Sequence, residues 1–216
     1  MSDNRLFSAA AARNRKPILD VLSAVLPKQG LVLEVASGSG EHVVHFAARL
    51  TNLTFAPSDP SPEARASVAV WIASSGVKNV RAPLALDAAS APWPIERADA
   101  VICINMVHIS PWAATEGLFD NAGAILPVGA PLYLYGPYKR GGAHTASSNA
   151  EFDAGLCAQN PSWGVRDLET VADLGRQAGF ERPEIVEMPA NNLSLIFRRS
   201  AASGQPTRAL NTCLTS

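Results

Sequence analysis

Short continuous apolar runs alternate along this chain with stretches whose apolar positions recur every three or four residues. The run 31–36 (LVLEVA) lacks the polar alternation of a half-exposed strand, so it reads as a strand covered on both faces of a parallel sheet. Ahead of it Ile18, Leu19, Leu22, Val25 and Leu26 recur at helical spacing. Pro17 predicts the start of that helix, and Pro27 with Gly30 its end. After the run, Ser37-Gly38-Ser39-Gly40 turns the chain, and Val43, Val44, Phe46, Ala47 and Leu50 mark a second helix. The rhythm continues with a strand over 53–56 leading to Ser58-Asp59-Pro60, a helix over 62–75, and a strand over 80–86 ending in Asp87. A strand over 100–104 ends in Asn105, and a helix over 112–126 leads to a fifth strand over 131–135. Such alternation predicts an α/β fold with right-handed crossovers.

The rhythm then breaks. Residues 136–165 hold Gly141, Gly142, two prolines and several Ser and Asn residues, with a short helical candidate at 151–158. A loop of that length inside a compact domain is uncommon and usually functional, so it reads as a lid-like insertion after strand five. A helix over 167–178, stopped by Gly179, precedes strands near 185–187 and 193–198, close enough to pair as an antiparallel edge hairpin. The expected fold is a Rossmann-like, doubly wound, mostly parallel sheet of seven strands. Its single domain covers 1–199, with a cap segment at 1–16, the insertion at 136–165 and a polar tail at 200–216.

Composition narrows the function classes. A chain of 216 residues suits one domain with residues to spare, given roughly 150 per domain. Lys plus Arg (18) nearly balances Asp plus Glu (19), which argues against the cationic surface that nucleic-acid binding requires. Cys103, Cys157 and Cys213 are odd in number and widely spaced, so neither a disulfide framework nor a structural zinc site is expected. No apolar run approaches the ~18 residues of a membrane span. The N-terminal stretch lacks a secretory pattern, although its Ala and Arg content leaves a transit peptide as an alternative. A cytoplasmic protein is the expectation.

The segment from Leu33 to His42 lies where a buried strand turns into a helix, so main-chain amides face one crevice. A dinucleotide fingerprint would read GxGxxG, but Glu41 stands where it would repel a pyrophosphate. Asp59 lies 21 residues beyond Gly38, near the ~20-residue offset of a ribose-binding acid, and Asp87 could accept from an adenine amino group. Three strands thus end in residues suited to a nucleoside without phosphate.

Here the sequence resembles the class I S-adenosylmethionine (SAM)-dependent methyltransferases, whose first motif E/D-x-G-x-G-x-G reads Glu34-Val35-Ala36-Ser37-Gly38-Ser39-Gly40. More narrowly it is similar to the formerly uncharacterised family grouped with methyltransferase-like protein 26. The matching segments include SAAAARNRKPIL from Ser8, INMVHISPW from Ile104, YGPY from Tyr135, NAEFD from Asn149, WGVRD from Trp163 and MPANN from Met188. Ala36 departs from the general pattern by replacing the first glycine. The resemblance implies SAM held by Arg13, Asn14, Glu34, Ala36, Ser37, Gly38, Gly40, Asp59, Pro60, Asp87, Ala88 and Asn105. Within that set Glu34 serves the amino group, Asp59 the ribose, Asp87 the adenine, and Asn105 faces the methyl donor. Arg13 pairs with a carboxylate of cofactor or substrate.

Methyl transfer requires alignment and, for some acceptors, a base. His108 is the candidate base, with a structural histidine orienting the Pro111-Trp112 turn as the other reading; Tyr135 joins it as catalytic. Tyr138, Asn149, Asp153 and Asn191 are the expected substrate contacts. His42 and His45 share a helix, but no third ligand neighbours them, so no metal is expected. The acceptor is expected to be a small molecule and the protein a monomer or homodimer. The rivals are a nicotinamide (NAD)-dependent oxidoreductase and a non-catalytic SAM-binding protein.

Overall fold

The computed structural model describes residues 5–201. Five strands come first: β1 (Gly30–Val35), β2 (Leu53–Asp59), β3 (Leu84–Ala85), β4 (Ala100–Ile104) and β5 (Pro131–Gly136). The short β6 (Lys139–Arg140) and β7 (Ala143–His144) form a separate hairpin, followed by β8 (Glu184–Met188) and β9 (Asn192–Arg198). The seven-stranded sheet has the order β3-β2-β1-β4-β5-β9-β8. Strands β1 to β5 are parallel, while β9 enters antiparallel to both β5 and β8. The expected fold class and its edge hairpin are therefore present.

Among the described residues there are six α-helices: α1 (Ala9–Val25), α2 (Glu41–Ala47), α3 (Pro62–Ser75), α4 (Trp112–Ile125), α5 (Ser147–Gln159) and α6 (Leu168–Gln177). Strand alternation sorts the core into two layers. Val32, Ile102, Tyr133 and Ile196 pack with Ile18, Val43 and Val68 of α1, α2 and α3. Leu33, Val101, Leu132 and Leu195 pack with Leu118 of α4 and Val171 of α6. Neighbours such as Val32 and Leu33 are both fully buried, the signature of a sheet covered on each side. Among the described residues no helix is long and apolar enough to cross a membrane.

Three boundaries differ from expectation. Pro17 lies inside α1 rather than at its start, because Ser8 caps the helix by accepting from Ala11 N–H and Ala9 to Ala12 are strong helix formers. These offset the backbone bond that proline removes. Strand β3 is reduced to two residues plus an isolated bridge from Val80 to Phe55, since Pro83 has no N–H to offer the ladder. The insertion is ordered: β6 and β7 turn through Gly141 and Gly142, both with positive φ, and α5 follows. The tail expected at 200–216, with Cys213, lies almost entirely outside the described residues.

One glycine fixes how α4 meets the sheet edge. A Cβ at Gly117 would stand 2.3 Å from the Ala88 carbonyl oxygen and 2.8 Å from Ala89 Cα. Four residues on, Asn121 Nδ2 donates to the Ser90 carbonyl at 3.2 Å. Gly117→Ala adds about 1 kcal/mol of helix propensity against about 3 kcal/mol of overpacking. A net loss of about 2 kcal/mol is expected, read as a lower denaturant midpoint at unchanged slope.

Candidate functional site

The C-terminal ends of β1 and β2 are joined by short polar contacts. Ser37 N–H donates to the Ser58 carbonyl (2.8 Å), Ser58 N–H to Ser37 Oγ (3.1 Å), and Ser58 Oγ to the Glu34 carbonyl (2.7 Å). The loop between them takes three left-handed steps, at Ala36 (φ 58°), Gly38 (φ 55°) and Gly40 (φ 92°). Only Ala36 does so with a side chain. A Cβ on Gly38 would meet nothing within 4 Å, so this turn faces open space. Gly40 serves packing instead: a Cβ there would stand 2.8 Å from Val68 Cα on α3.

Asp59 closes this cradle. Its Oδ2 accepts from Gly38 N–H (3.0 Å) and its Oδ1 from Ser61 N–H (2.9 Å). A carboxylate offers about four lone-pair sites, so roughly two are left for vicinal hydroxyls. Glu34 lies beneath, only 2% exposed, and its Oε2 has no hydrogen-bond partner among the described residues. Burial raises its pKa to about 7, opposed by the Ser37 hydroxyl and assisted by the charge of Asp59. A cationic group brought to that oxygen would satisfy it and return the carboxyl to its ionised form. Positive backbone angles, open space over Gly38, a two-hydroxyl carboxylate and an orphaned buried acid together fit SAM.

Asp87 is placed less directly. It is exposed, two residues past the short β3, and its Oδ1 accepts from Ala89 N–H at 2.9 Å. Pro60 is exposed and Ala88 buried. Glu41 is 5% exposed, its Oε2 accepting from Ser8 N–H (2.6 Å) and Ser39 Oγ (3.0 Å), so a carboxylate does occupy the start of α2.

A cleft of about 680 Å³ has Asn105 in its lining. Its walls include Arg13 and Asn14 from α1, Tyr135 from β5, and Asn149 and Phe152 from α5. Asn105 adopts φ 63° and donates its N–H to the Tyr135 carbonyl at 2.8 Å. Asn14 is held from behind by His42, with Oδ1 and Nε2 2.8 Å apart. Burial, with the charges of His45 and Arg15, lowers the His42 pKa to about 4, so its imidazole is neutral and Nε2–H donates. Burial raises the Tyr135 phenol pKa, against the hydrogen bond from Asn14 and the charge of Arg13.

Other expected contacts face elsewhere. His108 is fully buried and does not line the cleft; its ring meets Tyr138 edge-on at 4.8 Å and lies against Gly136. Its Nδ1 faces Arg166 N–H at 3.4 Å, and its carbonyl accepts from Gly164 N–H at 2.9 Å. Burial first, then the charge of Arg166, lowers its pKa to about 3. His108 thus stands outside the cleft lining and holds the turn after β4 against the end of the insertion, the surroundings of the structural reading. Tyr138 is likewise fully buried, packed in the layer of Leu132 and Leu134. Asp153 is turned inward, on Lys139 Nζ (2.8 Å), His144 Nε2 (3.1 Å) and Val165 N–H (2.7 Å). Partial burial pushes its carboxyl pKa up, but those partners outweigh it and hold it low. Asn191 contributes its backbone, its carbonyl accepting from Asn149 Nδ2 at 3.0 Å. Ser8, Ile109, Pro137, Phe152 and Ala190 line the cleft without having been expected there. Ile109 and Phe152 could have been suspected as large apolar residues in polar surroundings.

The fold is similar to that of several solved methyltransferases. An O-methyltransferase family protein from Burkholderia thailandensis superposes with a TM-score of 0.76 at 19% identity, over 89% of this chain and 58% of that one. For human N-acetylserotonin methyltransferase in complex with SAM the values are 0.72, 15%, 89% and 53%. For an O-methyltransferase family 2 protein from Planctomyces limnophilus in complex with apigenin they are 0.73, 18%, 88% and 59%. The chain thus spans a little over half the length of these structures. At such identities the likeness is one of fold. Sequence gives a closer relationship, for residues 5–199 match one family throughout, and the chain belongs to the family described as protein of unknown function (DUF938).

Proposed function

We propose that the protein is a SAM-dependent methyltransferase acting on a small molecule held in the cleft beside Asn105. The observation that carries this reading is a nucleoside-fitting cradle at Gly38, Asp59 and Glu34, at the end of a strand paired with β4, and a cleft lined by Asn105 just beyond β4. Bound SAM supplies a methyl group on an electrophilic sulfonium. The chain supplies position. Asp59 holds hydroxyls, Glu34 meets a cationic amino group, and Asn105 borders both spaces. Tyr135, which lines the cleft with Asn14, orients the acceptor by donating its phenolic proton. The insertion at 136–165 serves as the cleft's lid, with Phe152 and Asn149 on its inner side. The segments shared with the family of methyltransferase-like protein 26 support the narrower grouping. Glu41, committed to Ser8 and Ser39, disfavours a pyrophosphate and with it the NAD reading.

Two measurements test the cradle. In calorimetry with S-adenosylhomocysteine, Asp59→Ala is expected to weaken binding about 10- to 100-fold, from loss of charge-assisted hydrogen bonds. Unchanged affinity removes Asp59 from the ribose role. The second concerns Glu34, which keeps its proton to about pH 7 when folded, against an ordinary value of 4.5. Its contribution to stability is therefore present below pH 4.5 and lost as pH rises to about 7. Glu34→Gln has no proton to lose, so relative to wild type it should gain roughly 3 kcal/mol between those limits. Parallel pH profiles of denaturation would show Glu34 to be ionised in the folded protein.

A further inference from the structure

The cleft is charged at a single point. Among the described side chains that line it only Arg13 carries charge, and no carboxylate stands with it. Arg13 is exposed on α1, and no salt bridge among the described residues involves it. Its field reaches Tyr135, one of the lining residues. Arg13 lines this cleft, whereas the glycine loop and Asp59 do not.

The apolar lining is as uneven as the charge. Six large hydrophobic side chains are exposed among the described residues, and two of them, Ile109 and Phe152 at 43% each, face this cleft. Water over such surface is displaced favourably by a flat apolar body. The remaining polar lining consists of neutral amides and hydroxyls, such as Asn14, Asn149 and Ser148. One guanidinium amid neutral groups matches one negative charge. Arg13 stands past the first turn of α1, where its own main-chain N–H is bonded within the helix. A planar carboxylate suits it through two parallel hydrogen bonds.

We infer that the cleft takes small carboxylates with a flat apolar body, Arg13 pairing with the carboxylate while Ile109 and Phe152 cover the body. That this ligand is the methyl acceptor rests on the function proposed above; its binding does not. The test is calorimetry on the full chain, with and without S-adenosylhomocysteine. The probes are phenylacetate, 4-hydroxyphenylacetate and indole-3-acetate, each against its primary amide. Wild type is expected to prefer the acids about tenfold or more. Arg13→Gln should erase that preference while leaving S-adenosylhomocysteine affinity within about twofold, being an exposed substitution on a helix. Phe152→Ala should weaken acid and amide alike. Failure to bind any of the three acids, equal binding of acid and amide, or a preference that persists in Arg13→Gln overturns the inference. So does a loss confined to S-adenosylhomocysteine in Arg13→Gln, which would put Arg13 on the cofactor. Arg13-dependent acid binding without any affinity for S-adenosylhomocysteine would uphold the cleft and refute the methyltransferase reading instead.

Discussion

Strand β1 pairs in parallel with β2 on one side and β4 on the other, and each of those neighbours must be reached by a crossover. Right-handed crossovers send α2 to one face of the sheet and α4 to the other, so the chain parts at the C-terminal end of β1. The parting leaves a crevice whose floor is main chain. Into it run Ala36 to Gly40, Asp59 and Asn105, each the residue or loop at which a strand ends. The ladder satisfies the backbone of β1, and the two apolar layers hold it from both faces. Nothing in the crevice therefore has to be supported by the crevice itself.

The interior carries several polar atoms without partners among the described residues, including Glu34 Oε2, His108 Nε2 and Tyr138 Oη. Each such group costs about 1–3 kcal/mol. They divide by location. Glu34 borders the open cradle, where a ligand can complete it. His108 and Tyr138 are packed together at the root of the insertion, where Arg166 fastens the returning chain. Its Nε donates to the Val107 carbonyl (3.0 Å) and Nη2 to that of Ser110 (2.7 Å), with the guanidinium over Trp112 at 5.7 Å. The histidine and tyrosine thus belong to one anchoring cluster with Arg166.

How far the sequence disclosed this follows from what spacing encodes. Apolar runs and turn residues located the strands, since burial on two faces leaves a local record. They also located Asp59 and Asn105, because a strand's end is a local event. Whether a side chain beyond that end points out or in is decided by later packing. Tyr135 and Tyr138 are three residues apart and both buried, but an odd offset along extended chain sends them to opposite core layers, and only Tyr135 lines the cleft. His108 and Asp153 were legible as chemistry and illegible as direction, their partners lying 58 and 12 residues away. Pro17 misled for a related reason: local preference put it at a helix start, while the Ser8 cap and the alanines began the helix earlier.

The contact between Asn149 and the Asn191 carbonyl joins the insertion to a turn where Ala190 and Asn191 both adopt φ 57°. The residues of the cradle have all been synthesised once Asn105 emerges. The cleft wall waits for residue 192, and β9 must first slot between β5 and β8. A growing chain therefore completes its two sites in order, the cradle with its first half and the cleft at its end. A chain cut short before the last hairpin keeps every residue for the first task and lacks a wall for the second.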